Sequence, residues 1–168
     1  MPDTPKILIR NAREQDIPAV VEINTEAYGT DAQPETFQRR LTAFPDGFVI
    51  LVAENEVAGY GCSEKWLTER EPGLEESHPA VHQPDGRILC ITGLAVGMKY
   101  QGRGYRLRIL DRMIEIAHRE GCRKIIVETT HAQDLYQSRG FQTAQTRMEG
   151  GASVDVMSLD IESYGSKA

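Results

Sequence analysis

Apolar and polar positions along the chain switch repeatedly between a period of two and a period near 3.6. "KILIRNA", Lys6 to Ala12, is rich in branched aliphatic residues and reads as an opening strand. Asp16 then offers a helix N-cap, Pro18 suits a first turn, and Ile17, Val20, Val21, Asn24 and Ala27 follow helical spacing. A second helix is predicted from Pro34, with Phe37, Leu41 and Phe44 on one face. "GFVILVAENEVAGYGCSEKW" reads as a hairpin that turns near Glu54, Asn55 and Glu56 and returns from Val57 to Trp66. A polar stretch carrying Pro72, Gly73, Pro79, Pro84 and Gly86 occupies Leu67 to Arg87, and its length points to a functional or mobile segment. Arg87 to Val96 is predicted as a buried strand. It leads into a helix with Leu107, Leu110, Met113, Ile114 and Ala117 inward and Gly121 as its C-cap. "RKIIVETT" predicts another buried strand, Ala132 to Ser138 a short helix, and "GFQTAQTRM" with "ASVDVMSLDI" a closing strand pair.

This order predicts a mixed α/β (α+β) fold. The unit from Arg87 to Thr129 should be a right-handed parallel crossover, and the other strands pair most easily antiparallel. A chain of 168 residues fits a single domain spanning 1–168, with a core of its own. Repeats and linkers are not evident. A net charge of −6 argues against a general nucleic-acid binder. Acidic residues crowd between Thr68 and Asp85, where Glu69, Glu71, Glu75, Glu76 and Asp85 face only Arg70. Such a segment either draws a cation or is a solvated loop. Cys62, Cys90 and Cys122 are odd in number and widely spaced, which suits reduced thiols. With no signal-peptide pattern and no membrane-length apolar run, a cytoplasmic protein without membrane attachment is expected. No His, Cys and carboxylate grouping has metal-ligand spacing, so no metal is expected.

The chemistry concentrates in "GLAVGMKYQGRGYRLRILDRMIEIA", Gly93 to Ala117. A glycine-rich turn from strand to helix exposes backbone N–H groups at the positive helix end, a cradle for phosphate or pyrophosphate. A dinucleotide fingerprint would need glycine where Leu107 stands, and the Gly-Lys-Ser/Thr of a P-loop is absent. Leu94 to Arg106, followed by a helix, a strand and "AQDLYQSRGF", instead resembles the Gcn5-related N-acetyltransferase (GNAT) superfamily. The acetyl-CoA signature stands here as Gln101, Gly102, Arg103, Gly104, Tyr105 and Arg106; the second mark, a Tyr shortly before Gly-Phe, stands as Tyr136, Gly140 and Phe141. The final signature position is normally Gly or Ala. Arg106 there either crowds the donor or swings aside to pair with a phosphate.

The resemblance implies a central, mostly antiparallel twisted sheet with flanking helices, and transfer of an acetyl group from acetyl-CoA to a primary amine within a ternary complex. It implies that the backbone of Leu94, Ala95 and Val96 takes the pantetheine arm as an added strand, and that Gln101 through Arg106 hold the pyrophosphate. Tyr136 becomes the acid facing the leaving sulfur. Thr129 stands where the family often has Asn. Positions that carry a base in several members are Cys90 and Thr92 here, so the base stays open between Glu128, the loop histidines His78 and His82, and water. Tyr28 and Trp66, with that loop, are expected to contact a small-molecule amine, and the acidic loop favours a cationic one. Peptide or protein acetylation, and a silent CoA-binding protein, are the alternatives. Family analogy also suggests a homodimer.

Overall fold

The computed structural model describes residues 6–29, 33–67 and 82–161. The chain runs β1 (Ile7–Asn11), α1 (Ile17–Tyr28), α2 (Pro34–Ala43), β2 (Val49–Ala53), β3 (Glu56–Trp66), β4 (Ile88–Val96) and α3 (Tyr105–Arg119). β5 (Lys124–Thr129), α4 (Gln133–Gln137), β6 (Gln142–Glu149) and β7 (Ala152–Asp160) complete it. Each element falls where the hydrophobic periodicity placed it.

Seven strands form one sheet in the order β1-β2-β3-β4-β5-β7-β6. Only β4 and β5 pair in parallel, joined by α3; the other neighbours are antiparallel. The β2–β3 hairpin turns through Glu54 and Asn55, both left-handed at φ 53° and 66°. Positive φ at both central residues gives a tight turn whose twist matches the strands.

Helix α3 covers one sheet face, burying Ile109, Leu110, Met113, Ile116 and Ala117 with Leu89, Ile91, Leu94 and Val96. The buried stripe is wider than the predicted one: Leu110, Met113, Ile114 and Ala117 are buried as expected, Ile109 and Ile116 join them, and Leu107 is partly buried. Helix and sheet approach closely at Gly61, where an added Cβ would lie 2.8 Å from Ile109 Cγ2. Helices α1 and α2 cover the opposite face, packing Ile17, Val20, Ile23 and Phe37 against Phe48, Ile50, Tyr60 and Cys62. A buried ion pair ties β1 to the start of α1. Arg10 donates two hydrogen bonds to the Asp16 carboxylate at 2.7 and 2.9 Å, and the Arg13 N–H adds a third at 2.8 Å. Three charge-assisted bonds thus satisfy a carboxylate that burial alone would penalise.

Candidate active site where β4 and β5 part

The parallel ladder between β4 and β5 is short. It pairs Ile88 to Ile91 with Lys124 to Val127 and ends there. β4 continues to Val96 against β3, and β5 continues to Thr129 against β7. The cause lies in β4: its register against β3 shifts between Cys62 and Ser63, so Thr92 has no partner and bulges. A bulge bends its strand and raises the local twist, which here turns the end of β4 away from β5. The result is a gap between strand edges that do not pair with each other.

The backbone at this edge is identifiable. The Tyr28 hydroxyl, at the end of α1, donates to the Leu94 carbonyl at 2.8 Å. Leu94 therefore directs its polar backbone into the gap, and period-two alternation gives Val96 the same direction. Ala95 points its backbone to Tyr60 on β3 and its side chain into the core.

Beyond β4, a single 3₁₀ turn at Met98–Tyr100 carries the chain into the glycine loop. Gly102 and Gly104 are left-handed at φ 81° and 80°, with no atom within 4 Å of where a Cβ would stand. Backbone conformation, and not crowding by the protein, selects glycine at both. The buried rings of Tyr100 and Tyr105 pack 6.3 Å apart and anchor the loop at both ends. The Arg103 guanidinium lies 5.3 Å over the Tyr100 ring and pairs with Glu54 at 3.5 Å, so its charge leans toward the hairpin turn. Helix α3 carries no side-chain cap, and its first bond runs from Arg108 N–H to Gly104 C=O. The N–H groups of Tyr105, Arg106 and Leu107 are left without intrahelical acceptors at the positive end of a 15-residue helix. Exposed Gln101 stands beside them. This arrangement fits a pyrophosphate.

Tyr136 on α4 is buried, its ring 5.3 Å from Phe141 in an edge-to-face contact. Among the described residues its hydroxyl has no hydrogen-bond partner. Burial, reinforced by nearby Tyr28, pushes its phenol well above the ordinary tyrosine range, and the Arg106 guanidinium offsets part of that rise. Arg106 acts in the same sense on Tyr28, whose desolvated hydroxyl end also titrates high. The exposed Arg106 side chain therefore reaches toward the phenols that border the gap.

A second cluster lies on the α1–α2 face of the sheet, beside the β4 bulge. Tyr60 donates to Asn24 Oδ1 at 2.6 Å, and Thr92 Oγ1 lies 3.3 Å from Cys62 Sγ. Arg40 of α2 points Nη1 at Cys62 Sγ at 3.6 Å. Sequence reasoning missed Arg40, Tyr60 and Cys62. The signal for Tyr60 and Cys62 was the same-face run Tyr60, Cys62, Glu64 and Trp66 along β3, on a strand that is buried almost throughout; Arg40 on α2 gave none.

Other expected site residues lie elsewhere. Trp66 is core, 2% exposed, and donates its indole N–H to buried Glu64 at 3.0 Å. His82 stacks on Phe44 at 4.7 Å and accepts the Lys65 N–H at Nδ1. Lys65 pairs with Leu89, roughly 16 Å along β4 from Leu94. That distance removes His82 from the gap, and burial together with Lys65 lowers its pKa. Glu128 lies on the opposite face of β5 from Thr129 and is held by Arg147 at 2.6 Å, so accepting a proton would break that pair. Thr129 Oγ1 accepts the Ala132 N–H at 2.8 Å and shapes the entry to α4. His78 and most of the acidic loop fall outside the described residues.

The model of the GNAT acetyltransferase family matches residues 17–141, which includes β4, the glycine loop, α3 and Tyr136. The chain belongs to that family. One curated relative is a probable glucosamine 6-phosphate N-acetyltransferase of rice, Oryza sativa subsp. japonica. It is 30% identical over 105 residues, covering 59% of this chain and 56% of that protein, so the match spans about half the relative's length. The fold is shared with the loading GNATL domain of CurA from Lyngbya majuscula, at TM-score 0.81 and 15% identity over 94% of this chain and 99% of that one. It is also shared with yncA of Salmonella typhimurium, a putative acetyltransferase solved with acetyl-CoA. There the TM-score is 0.71 and the identity 18%, over 93% and 94% of the two chains.

Proposed function

We propose that this protein transfers the acetyl group of acetyl-CoA directly to a primary amine on a small molecule. The observation that carries the reading is the alignment of three features along one gap. These are the β4 edge at Leu94 and Val96, unpaired on its β5 side, the uncapped glycine loop at the start of α3, and the unpartnered Tyr136 hydroxyl. The edge suits an extended amide-bearing arm, as in strand addition. The loop suits a pyrophosphate through backbone N–H groups, with Arg106 adding a charged donor.

In the reaction the amine lone pair forms a bond to the thioester carbonyl carbon, and the carbonyl electrons move to oxygen. Collapse of that intermediate breaks the C–S bond and leaves the electron pair on sulfur. The new ammonium loses one proton, yielding the amide and CoA. Tyr136 keeps its proton because burial holds its pKa far above that of a thiol. Its role is a hydrogen bond to sulfur that strengthens as negative charge develops, stabilisation specific to the transition state. The amine's proton is routed to water, since Glu128 is held by Arg147 and His82 lies beside Lys65, away from Leu94.

The test is CoA-thiol release from acetyl-CoA over a panel of amines, amino acids, phosphorylated amino sugars and short peptides. A small-molecule amine should give release above the no-acceptor background. Preference for peptides would shift the reading to peptide acetylation, and silence with tight acetyl-CoA binding would make the chain a CoA-binding protein.

A further inference from the structure

Arg40 is half-buried and lacks what a desolvated guanidinium nitrogen normally has. Its Nε is buried with no hydrogen-bond partner, and among the described residues no carboxylate pairs with it. Its remaining contacts are weak: the Cys62 thiol at 3.6 Å and the Phe37 ring at 5.4 Å. A buried guanidinium N–H with no acceptor is costly to desolvate. The other buried or half-buried cations are treated differently, since Arg10 has Asp16, Lys65 has Glu120 and Arg147 has Glu128.

The position of Arg40 is also specific. Cys62, which it touches, pairs with Gly93, the residue before Leu94 on the gap edge. Its charge reaches Tyr28 and Tyr60, as the charge of Arg106 reaches Tyr28 and Tyr136. Two arginines thus act on the phenols from different elements, Arg106 at the start of α3 beside the glycine loop and Arg40 on α2. Those phenols are neutral at physiological pH and leave both charges unbalanced.

We infer that Arg40 is a specificity residue that binds an anionic group, a carboxylate or phosphate, on the amine acceptor. This rests on the acetyl-transfer reading of the gap and sharpens its substrate class. It sets a cation against the expectation drawn from the acidic loop, most of which lies outside the described residues. A guanidinium offers two parallel N–H donors to such a group, and satisfying the orphaned Nε supplies the binding advantage.

Two pairs of primary amines test this, O-phosphoethanolamine against ethanolamine and β-alanine against β-alaninamide. Each is titrated calorimetrically in the presence of CoA and assayed for turnover with acetyl-CoA. At least one anionic member should bind about ten- to hundredfold more tightly than its neutral partner. The pair that responds separates phosphate from carboxylate. Arg40→Gln should abolish that preference while leaving acetyl-CoA binding and the melting temperature close to wild type, and Arg40→Lys should retain part of it. Equal or absent binding of both members in both pairs overturns the inference. So does an Arg40→Gln variant that keeps the preference. Lack of turnover beside a clear, Arg40-dependent anion preference would instead sink the acetyl-transfer reading and leave the anion site standing.

Discussion

Gly104→Ala separates the conformational role of the glycine loop from its binding role. Gly104 stands at φ 80° and ψ 12°, and an L side chain there costs about 1–2 kcal/mol. No atom lies within 4 Å of the added Cβ, so no clash adds to that figure. For a domain of this size, about 1 kcal/mol lowers the melting temperature by roughly 2–4 °C. The methyl group, however, enters the open space in front of the α3 N–H groups. Losing one or two charge-assisted bonds to pyrophosphate should weaken acetyl-CoA about ten- to hundredfold. Gly121→Ala is a matched control at the other end of the helix, with φ 73° and equally open surroundings. It should show a similar melting shift and unchanged acetyl-CoA affinity. Calorimetric titration and thermal melts on the same samples read both quantities. Equal acetyl-CoA affinities for the Gly104 and Gly121 variants would refute the cradle.

Tyr136→Phe keeps the edge-to-face contact with Phe141 and leaves no described partner unsatisfied. Turnover should fall about 10²–10³-fold with acetyl-CoA affinity within a few-fold of wild type; unchanged turnover removes the phenol from the reaction. Asp16→Asn should destabilise the fold by about 1–3 kcal/mol, since it strands Arg10 in a partly buried site. Burial would raise the Asp16 pKa, but Arg10 and the Arg13 N–H outweigh it and hold the folded value below the ordinary one. This stabilisation is present above the unfolded pKa near 3.9 and is lost as pH falls through the folded value. Denaturant melts from pH 5 to pH 2 should lose that acid sensitivity in the variant. His82 has a lowered folded pKa, so stability should be full above pH 6.5 and fall as the imidazole becomes charged below it. Melts across that window on His82→Phe should lack this slope, and an unchanged slope would assign it to another group.

The element order was readable because each strand and helix carries its own period and its own stops. Asp16 with Pro18 marks α1, Glu54 with Asn55 the hairpin, and Gly121 the end of α3. The phosphate cradle was readable for the same reason: Gly102, Gly104 and the helix that follows are consecutive. What could not be read was anything assembled across strands. The bulge at Thr92 depends on its register against Cys62, and it decides where β4 leaves β5. Trp66 and His82 lie in or beside the segment that promised acceptor contacts, yet strand length carries them to the far end of β4. Arg40 was invisible as a ligand because α2 alone presents it as one more polar residue; its meaning comes from what it fails to meet inside the fold. The α3 stripe widened for a related reason, since Gly59 and Gly61 leave room for Ile109 against the sheet.

The central claim is that the gap between β4 and β5 brings acetyl-CoA and a small amine together. Acetyl-CoA-dependent thiol release across the amine panel, followed in parallel for wild type and Tyr136→Phe, addresses it most directly. The predicted result is release that requires a small-molecule amine, saturates with it, and collapses in the variant. Release at the no-acceptor rate with every amine, or equal release by the two proteins, would contradict it.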